Sequence, residues 1–177
     1  MNTIKGFIIF LLMLFCASVY AQSDNCLTTY GSNFDDLLSP ELVTEYSKGM
    51  ELDHYITGAG TKYVESQYFW YPDDETTYFV KLYNVRKETS ENPIERFKAR
   101  VQKKSDEVYS YELAENIGDY AFWTRSNMEA DSEPTTDASL KVLSNKESFV
   151  IQVDMGDYAK SQEVARQLAS EVLKKCG

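Results

Sequence analysis

The chain contains a single histidine, His54, which is the first residue to consider for catalysis. In the segment ELDHYITG it lies close to two acidic residues, Glu51 and Asp53, and this setting suits a general base. A hydrolase would also need a nucleophile positioned for such a base, and no nucleophile is evident in the sequence pattern. The pattern therefore favours a surface or satisfied histidine, and the alternative is a hydrolase that uses His54 with Asp53.

The segment ENIGDYAFWTRS is the most motif-like run in the chain. Gly118 suits the positive φ of a tight turn, and the Asp119 carboxylate can hydrogen-bond nearby backbone amides. The small Ala121 would let a helix approach closely, while Phe122 and Trp123 would fill opposite faces of a strand. These features predict a structural corner where a strand enters a core, and they do not predict an active-site loop.

Two acidic segments raise the question of a hard cation. One is the turn PDDE at residues 72–75, and the other contains Glu129, Asp131, Glu133 and Asp137. Neither has the ordered spacing and turn glycine of a calcium loop, and a zinc site would need clustered cysteine and histidine. The sequence also shows no glycine-rich phosphate loop. We therefore expect no metal, no cofactor and no enzymatic activity.

The number of aromatic residues is the feature most suggestive of binding. Thirteen tyrosines, nine phenylalanines and two tryptophans exceed what one modest core requires. Such side chains are favoured at binding surfaces because they offer contact area at a low entropy cost. The candidate ligand contacts are Tyr63, Tyr68, Trp70, Tyr78 and Tyr83. The alternative, which the pattern favours, is that these rings fill both faces of a covered sheet.

The first 21 residues have the pattern of a secretory signal peptide. An apolar run at 7–15 follows one lysine, and small residues lead to a cleavage site between Ala21 and Gln22. That run is shorter than the ~20 residues of a membrane-spanning helix. Lipidation of Cys16 is the alternative, but Phe15 is bulky where a lipoprotein signal has a small residue. We expect a secreted or periplasmic chain without a transmembrane span after cleavage.

The formal charge of −10 limits the partners of the whole protein. Nucleic acid binding relies on lysine and arginine side chains that neutralise phosphates. A chain this acidic is repelled by such polyanions and by anionic membrane surfaces, so neither is expected as a partner.

Two cysteines remain after the leader, Cys26 and Cys176, and they lie near the two ends of the mature chain. An oxidising compartment favours a disulfide between them, with two free thiols as the alternative.

Residues 22–177 are long enough for one domain, and their pattern predicts an α+β fold. Helices are expected at 40–48, in the segment ENPIERFKARVQKKS (91–105) with Pro93 in its first turn, and at 161–175, while residues 25–34 are expected to be irregular. Strands are expected around the turn at 72–75, at 108–113, at 120–125, and on both sides of Asn145 and Lys146. The inward candidates of this last hairpin are Leu140, Val142, Phe149, Ile151 and Val153. Together they predict a twisted, mostly antiparallel sheet with amphipathic helices packed on it.

This order of elements resembles that of a known group of proteins. The segments LLSPELV, YFWY, IGDYAFW, SLKVLSNKESFVIQV and VARQLASEVLKK occur in the order seen in small secreted or lipid-anchored bacterial proteins of unknown function. That group is related in fold to the extracellular sensor domains of mycobacterial serine/threonine kinases and to the PsbP-like fold. The resemblance implies an α/β/α sandwich and no particular reaction.

The function that these patterns favour is a non-enzymatic binding or accessory module of the bacterial envelope. Its partner would be a small ligand or an unknown envelope protein. The alternative is a structural or interaction protein without a ligand, which would be a homodimer through its aromatic face, so both a monomer and a homodimer are consistent with the sequence.

The leader pattern makes a direct prediction about the mature protein. When the protein is expressed with its own leader, mass spectrometry should show a chain that begins at Gln22 and gains two hydrogens on reduction, because one disulfide is opened. A lipid adduct on Cys16 would contradict this outcome.

Overall fold

The computed structural model describes residues 25–30, 33–58, 64–126 and 135–176, which form a seven-stranded antiparallel sheet with helices packed on it. The helices are α1 (Cys26–Thr29), a 3-10 helix (Phe34–Asp36), α2 (Pro40–Ser47), α3 (Pro93–Lys103) and α4 (Tyr158–Lys174). The strands are β1 (Asp53–Thr57), β2 (Glu65–Trp70), β3 (Tyr78–Lys87), β4 (Tyr109–Ala114), β5 (Tyr120–Ser126), β6 (Asp137–Ser144) and β7 (Glu147–Asp154). Their order in the sheet is β1-β2-β3-β7-β6-β5-β4. The predicted α+β fold class is confirmed.

Side-chain caps explain where the three longer helices begin. The Ser39 hydroxyl accepts a hydrogen bond from the Leu42 amide before α2, and the Asn92 side chain caps α3 in the same way. Asp157 accepts a hydrogen bond from the Lys160 amide at 2.8 Å and starts α4 at Tyr158. That helix therefore begins three residues before the expected start at 161.

One face of the sheet, which we call the covered face, carries the main core. Helix α4 packs on β6 and β7, α2 packs on β2, and α1 packs on β3. Strand residues that alternate along the chain point into this layer, where they meet Val164, Leu168 and Val172 of α4. The five residues predicted to face inward are all fully buried there: Leu140, Val142, Phe149, Ile151 and Val153.

The opposite face is covered over only part of its area. Helix α3 packs on β4 and β5, where Phe97 contacts a second buried cluster with Tyr111, Phe122 and Leu143. Phe122 and Phe97 meet edge to face at 5.2 Å between ring centroids. The remainder of this face carries Phe79 and Tyr83 on β3, Gln152 and Asp154 on β7, and Asp137 and Ser139 on β6. We call this remainder the open face.

Three elements were not predicted, and all three depend on tertiary contacts. Strand β1 is the edge strand beside β2, and most of its side chains are exposed, so it has no apolar alternation to detect. Helix α1 lies within residues 25–34, which were expected to be irregular, and the 3-10 helix begins at the end of that segment. Their order comes from contacts with distant parts of the chain.

A buried carboxylate and a disulfide hold α1 in place. Glu147 at the start of β7 accepts hydrogen bonds from the Leu27 amide at 2.8 Å and the Thr28 amide at 2.9 Å. The carboxylate thereby satisfies amides at the beginning of a helix, where no intrahelical acceptor exists. The disulfide between Cys26 and Cys176 then ties α1 to the end of α4, and the predicted pairing is confirmed.

The segment around Gly118 forms the expected corner between β4 and β5. Gly118 has a φ of +56°, and a Cβ atom there would lie 2.5 Å from the carbonyl oxygen of Leu143. The Asp119 carboxylate accepts a hydrogen bond from the Asn145 amide at 2.7 Å, so it joins this corner to the turn between β6 and β7. Trp123 enters the core of the covered face, while Phe122 packs beneath α3.

Within the described part of the chain, no helix is both long enough and apolar enough to cross a membrane.

Two glycine substitutions distinguish the energetic cost of backbone strain, which applies to both Gly49 and Gly118, from the cost of steric overlap, which applies to Gly118. Gly49→Ala should lower the free energy of unfolding by about 1 kcal/mol, because its φ is +79° and an added Cβ would meet no atom within 4 Å. Gly118→Ala should cost about 3 kcal/mol, since its Cβ would overlap the Leu143 carbonyl as well. Urea unfolding of both variants measures the difference, and equal losses would refute the proposed overlap.

Candidate functional site

The open face contains a cavity of about 500 Å³. Most of its lining comes from five adjacent strands, because alternate residues of β3, β7, β6, β5 and β4 point to this side of the sheet. The cavity is lined by Phe79, Tyr83, Tyr109, Thr124, Arg125, Ser126, Thr135, Asp137, Ser139, Gln152 and Asp154. It therefore combines three aromatic rings with many hydroxyl, amide and carboxylate groups.

The polar side chains of the cavity hold one another in place. The Gln152 amide donates a hydrogen bond to the Asp137 carboxylate at 2.7 Å across β7 and β6. The Asp154 carboxylate accepts from the Thr136 hydroxyl at 2.8 Å and from the Gly156 amide at 2.8 Å. Because these groups are fixed on strands, the cavity presents donors and acceptors in a preformed arrangement.

Tyr83 supplies both a ring and a hydroxyl to this arrangement. Its hydroxyl lies 3.5 Å from the Ser139 hydroxyl. Burial raises the pKa of the Tyr83 phenol, and the nearby Glu65, Tyr109 and Asp137 act in the same direction. The phenol therefore stays protonated at neutral pH and is able to donate a hydrogen bond.

Four of the five aromatic residues that were predicted to contact a ligand are described, and they lie on different faces of the sheet. Tyr83 lines the cavity, whereas Tyr68 and Trp70 are fully buried on the covered face, so their assignment to a binding surface is wrong. Tyr78 is on the covered face too, edge to face with Trp70. Tyr63 lies outside the described residues. The Trp70 indole nitrogen is buried without a hydrogen-bond acceptor in the part of the chain that the structure describes.

His54 belongs to a different cluster, on the covered side of β1 and β2. Its Nε2 atom lies 3.1 Å from an Asp35 oxygen and 3.1 Å from the Ser66 hydroxyl, and its ring stacks on Tyr68 with centroids 4.2 Å apart. The structure does not bring Asp53, the partner considered in the hydrolase alternative, to His54, because consecutive strand residues point to opposite faces.

This cluster lacks the geometry of a catalytic relay. In a serine hydrolase the two imidazole nitrogens contact different groups, one the serine and the other the acid. Here Ser66 and Asp35 share a single nitrogen, and the Ser66 hydroxyl also donates to Asp35 at 3.3 Å. Ser66 is fully buried. The arrangement is that of a satisfied structural histidine.

The structure describes only part of the two acidic segments that were considered for a cation. Asp137 lines the cavity, while Glu129, Asp131 and Glu133 lie outside the described residues. In the turn at 72–75, the Asp73 carboxylate accepts hydrogen bonds from the amides of Glu75 and Thr76, which is a common role for aspartate in turns. Within the described ranges, no three histidine, cysteine or acidic residues are grouped closely enough to hold a metal ion.

Lys141 lies on the same side of the sheet as the cavity, and it is a candidate functional residue that the sequence analysis missed. It lies on β6, paired with Phe122 of β5 and Val150 of β7, and its ammonium group is 5.3 Å from the centre of the Phe97 ring. Burial lowers the pKa of Lys141 to about 8, and the nearby positive charges of Arg86, Arg96 and Arg100 add to this effect.

The sequence does contain a pattern that indicates the polar side of the sheet. In β6, Ser139 and Lys141 alternate with Leu140 and Val142, and in β7 the polar Gln152 and Asp154 alternate with Ile151 and Val153. The alternation shows that polar residues share one face. It does not show which strands lie side by side, and this adjacency creates the cavity.

Comparison with protein-family models, curated proteins and solved structures gives no significant match to the chain. The resemblance to PsbP-like proteins and kinase sensor domains therefore stays a prediction.

Lys141 should make stability depend on pH in a defined direction. Because its folded-state pKa of about 8 is below the ordinary 10.5, the unfolded chain binds more protons between these values. The free energy of unfolding of the wild type should therefore rise relative to Lys141→Met, by about 2 kcal/mol between pH 7.5 and pH 10. Urea unfolding at both pH values measures this difference.

Lys98→Met is the control for this measurement. Lys98 is exposed on α3, and the Glu95 carboxylate raises its pKa, so the wild type should show no comparable rise relative to this variant. A difference between wild type and Lys141→Met that does not change with pH would contradict the assignment.

Proposed function

We propose that this protein is a non-enzymatic binding module that acts outside the cytoplasm and holds a small polar ligand in the cavity of the open face. The observation that carries the proposal is the preformed cavity, in which aromatic rings and fixed hydrogen-bonding groups converge on a part of the sheet that α3 leaves uncovered. Small-molecule sites in proteins have this combination of concave shape and a few oriented polar groups.

The chemistry of the lining favours a ligand with several hydroxyl groups, such as a glycan unit. Gln152 and Ser139 carry both donor and acceptor atoms, and the carboxylates of Asp137 and Asp154 accept hydrogen bonds. Rings such as Phe79 offer an apolar surface against which the flat side of a sugar packs. One hydroxylated ligand would use both kinds of group.

The proposed compartment is supported by two features. The first 21 residues have the pattern of a secretory signal, and Cys26 and Cys176 form a disulfide, which persists in oxidising compartments. We also propose, from the order of its segments, that the chain is related to the small secreted or lipid-anchored proteins with a PsbP-like fold.

A second candidate function is a structural protein that forms a homodimer. It is supported by exposed apolar side chains at the β1 edge of the sheet, where Tyr55 is 53% exposed, Ile56 38% and Tyr71 54%. An edge strand with such residues is able to pair with another chain. This candidate replaces the aromatic face proposed from the sequence with the edge beside β1.

Native mass spectrometry of protein secreted with its own leader tests the ligand-binding proposal. The wild type should carry an additional small mass that is released on denaturation. Gln152→Ala should retain about tenfold less of it, because the variant loses an amide fixed at the cavity floor.

Gln67→Ala is the matched control, because Gln67 lies on the same side of the sheet in β2, outside the cavity, and its amide donates to Glu65 at 2.8 Å. It should retain the ligand like the wild type. A bare wild-type monomer, or equal retention by Gln152→Ala, would overturn the cavity as the binding site. A bare dimer would favour the second candidate.

A further inference from the structure

A group of four cationic side chains adjoins the cavity, between α3 and the sheet. Lys141 on β6 is its centre, Arg86 comes from the end of β3, and Arg96 and Arg100 come from successive turns of α3. We call these four residues the basic cluster. Such a cluster is unexpected in a chain whose formal charge is −10. Its four positive charges also repel one another at close range.

Acidic residues balance the basic cluster only in part. The buried Glu88 carboxylate forms ion pairs with Arg86 and Arg96 and also accepts a hydrogen bond from Ser148. Arg100 donates to the Tyr111 hydroxyl at 2.8 Å and lies 3.7 Å from Asp106. Two carboxylates thus face four cations, which leaves an excess of positive charge.

Lys141 is the member without an acidic partner. Within the described ranges, no carboxylate lies within ion-pair distance of its ammonium group, and no hydrogen bond satisfies it. Its neighbours are the Phe97 ring and, across the strands, Phe122 and Val150. A half-buried ammonium group beside aromatic rings and other cations is stabilised when an anion approaches it.

The three arginines retain donors for such an anion. Each guanidinium has five N–H groups, and the contacts with Glu88, Tyr111 and Asp106 use only some of them. About half of each arginine side chain is exposed, so the outer donors remain accessible from solvent. Forked guanidinium donors match the geometry of phosphate oxygens.

We propose that the basic cluster is a binding site for a doubly charged phosphate group, with Lys141 as its central contact. The excess of two positive charges matches a phosphate monoester or inorganic phosphate. This local site is compatible with the exclusion of nucleic acids, since the acidic surface repels long polyanions while four convergent cations attract one compact group. The proposal does not depend on occupancy of the cavity.

Isothermal titration with inorganic phosphate tests the site, with sodium chloride matching the ionic strength. Lys141→Met should weaken binding at least about tenfold, because it removes the charge at the centre of the site. Lys98→Met removes the same charge from the exposed side of α3 and should change affinity less than about twofold. No phosphate binding by the wild type, or equal binding by Lys141→Met, would overturn the proposal.

Proton uptake provides a readout that requires only the wild-type protein. Bound phosphate should raise the pKa of Lys141, so titrations at pH 8.5 in buffers of different ionisation enthalpy should show uptake of a fraction of a proton. Binding without proton uptake would remove Lys141 from the site, even if a variant failed to fold.

A parallel titration with glucose 1-phosphate distinguishes two sources of the phosphate group, which are a phosphorylated sugar and free phosphate. Tighter binding than that of inorganic phosphate would assign a phosphorylated sugar that extends into the adjoining cavity. Equal affinity would assign free phosphate to the basic cluster.

Discussion

The ladder between β3 and β7 is the constraint on which the rest of the structure depends. Strands β1 to β3 form one sequence-local unit and β4 to β7 form another, and among the described strands this ladder alone joins them. Pairing strands so distant along the chain costs loop-closure entropy, which is offset where Leu82 and Ile151 are buried together. Beyond the end of β3, Glu88 extends the junction through its amide, which donates to the Lys146 carbonyl at 2.7 Å. The cavity and the basic cluster both draw residues from the two units, so neither exists without this ladder.

The unequal covering of the two faces is what makes a binding function reasonable. On the covered face, α4 and α2 exclude water from Tyr68, Trp70 and the aliphatic core. On the other face, α3 packs mainly on β4 and β5 and leaves much of the polar rows of β6 and β7 accessible. Hydroxyl and carboxylate groups line that uncovered area, and the basic cluster stands where α3 meets it. A polar surface held by a rigid sheet can recognise a ligand without a loss of conformational freedom in its own backbone.

Much of the fold could be predicted because its signals are local. Pro40 after Ser39, the spacing of Val164, Leu168 and Val172, and the alternation in β6 and β7 each reflect a helix or strand with one buried side. Strand β1 gave no such signal, since it buries little and is held by backbone pairing with β2. Helix α1 is too short to be stable alone and depends on the Glu147 carboxylate and the disulfide.

The sequence by itself determined the α+β class, the inward residues of the β6–β7 hairpin and the pairing of Cys26 with Cys176, because these follow from periodicity and from a count of two cysteines in the predicted mature chain. It could not determine which aromatic residues face solvent: Tyr68 and Tyr83 have the same chemistry, yet one is buried beneath helices and the other lines a cavity. Tertiary structure alone decided that His54 meets Asp35 and that Lys141 lies among three arginines. The physical reason is that side-chain direction along a strand is a local property, whereas the identity of a neighbour depends on which distant strands pair and which face a helix covers.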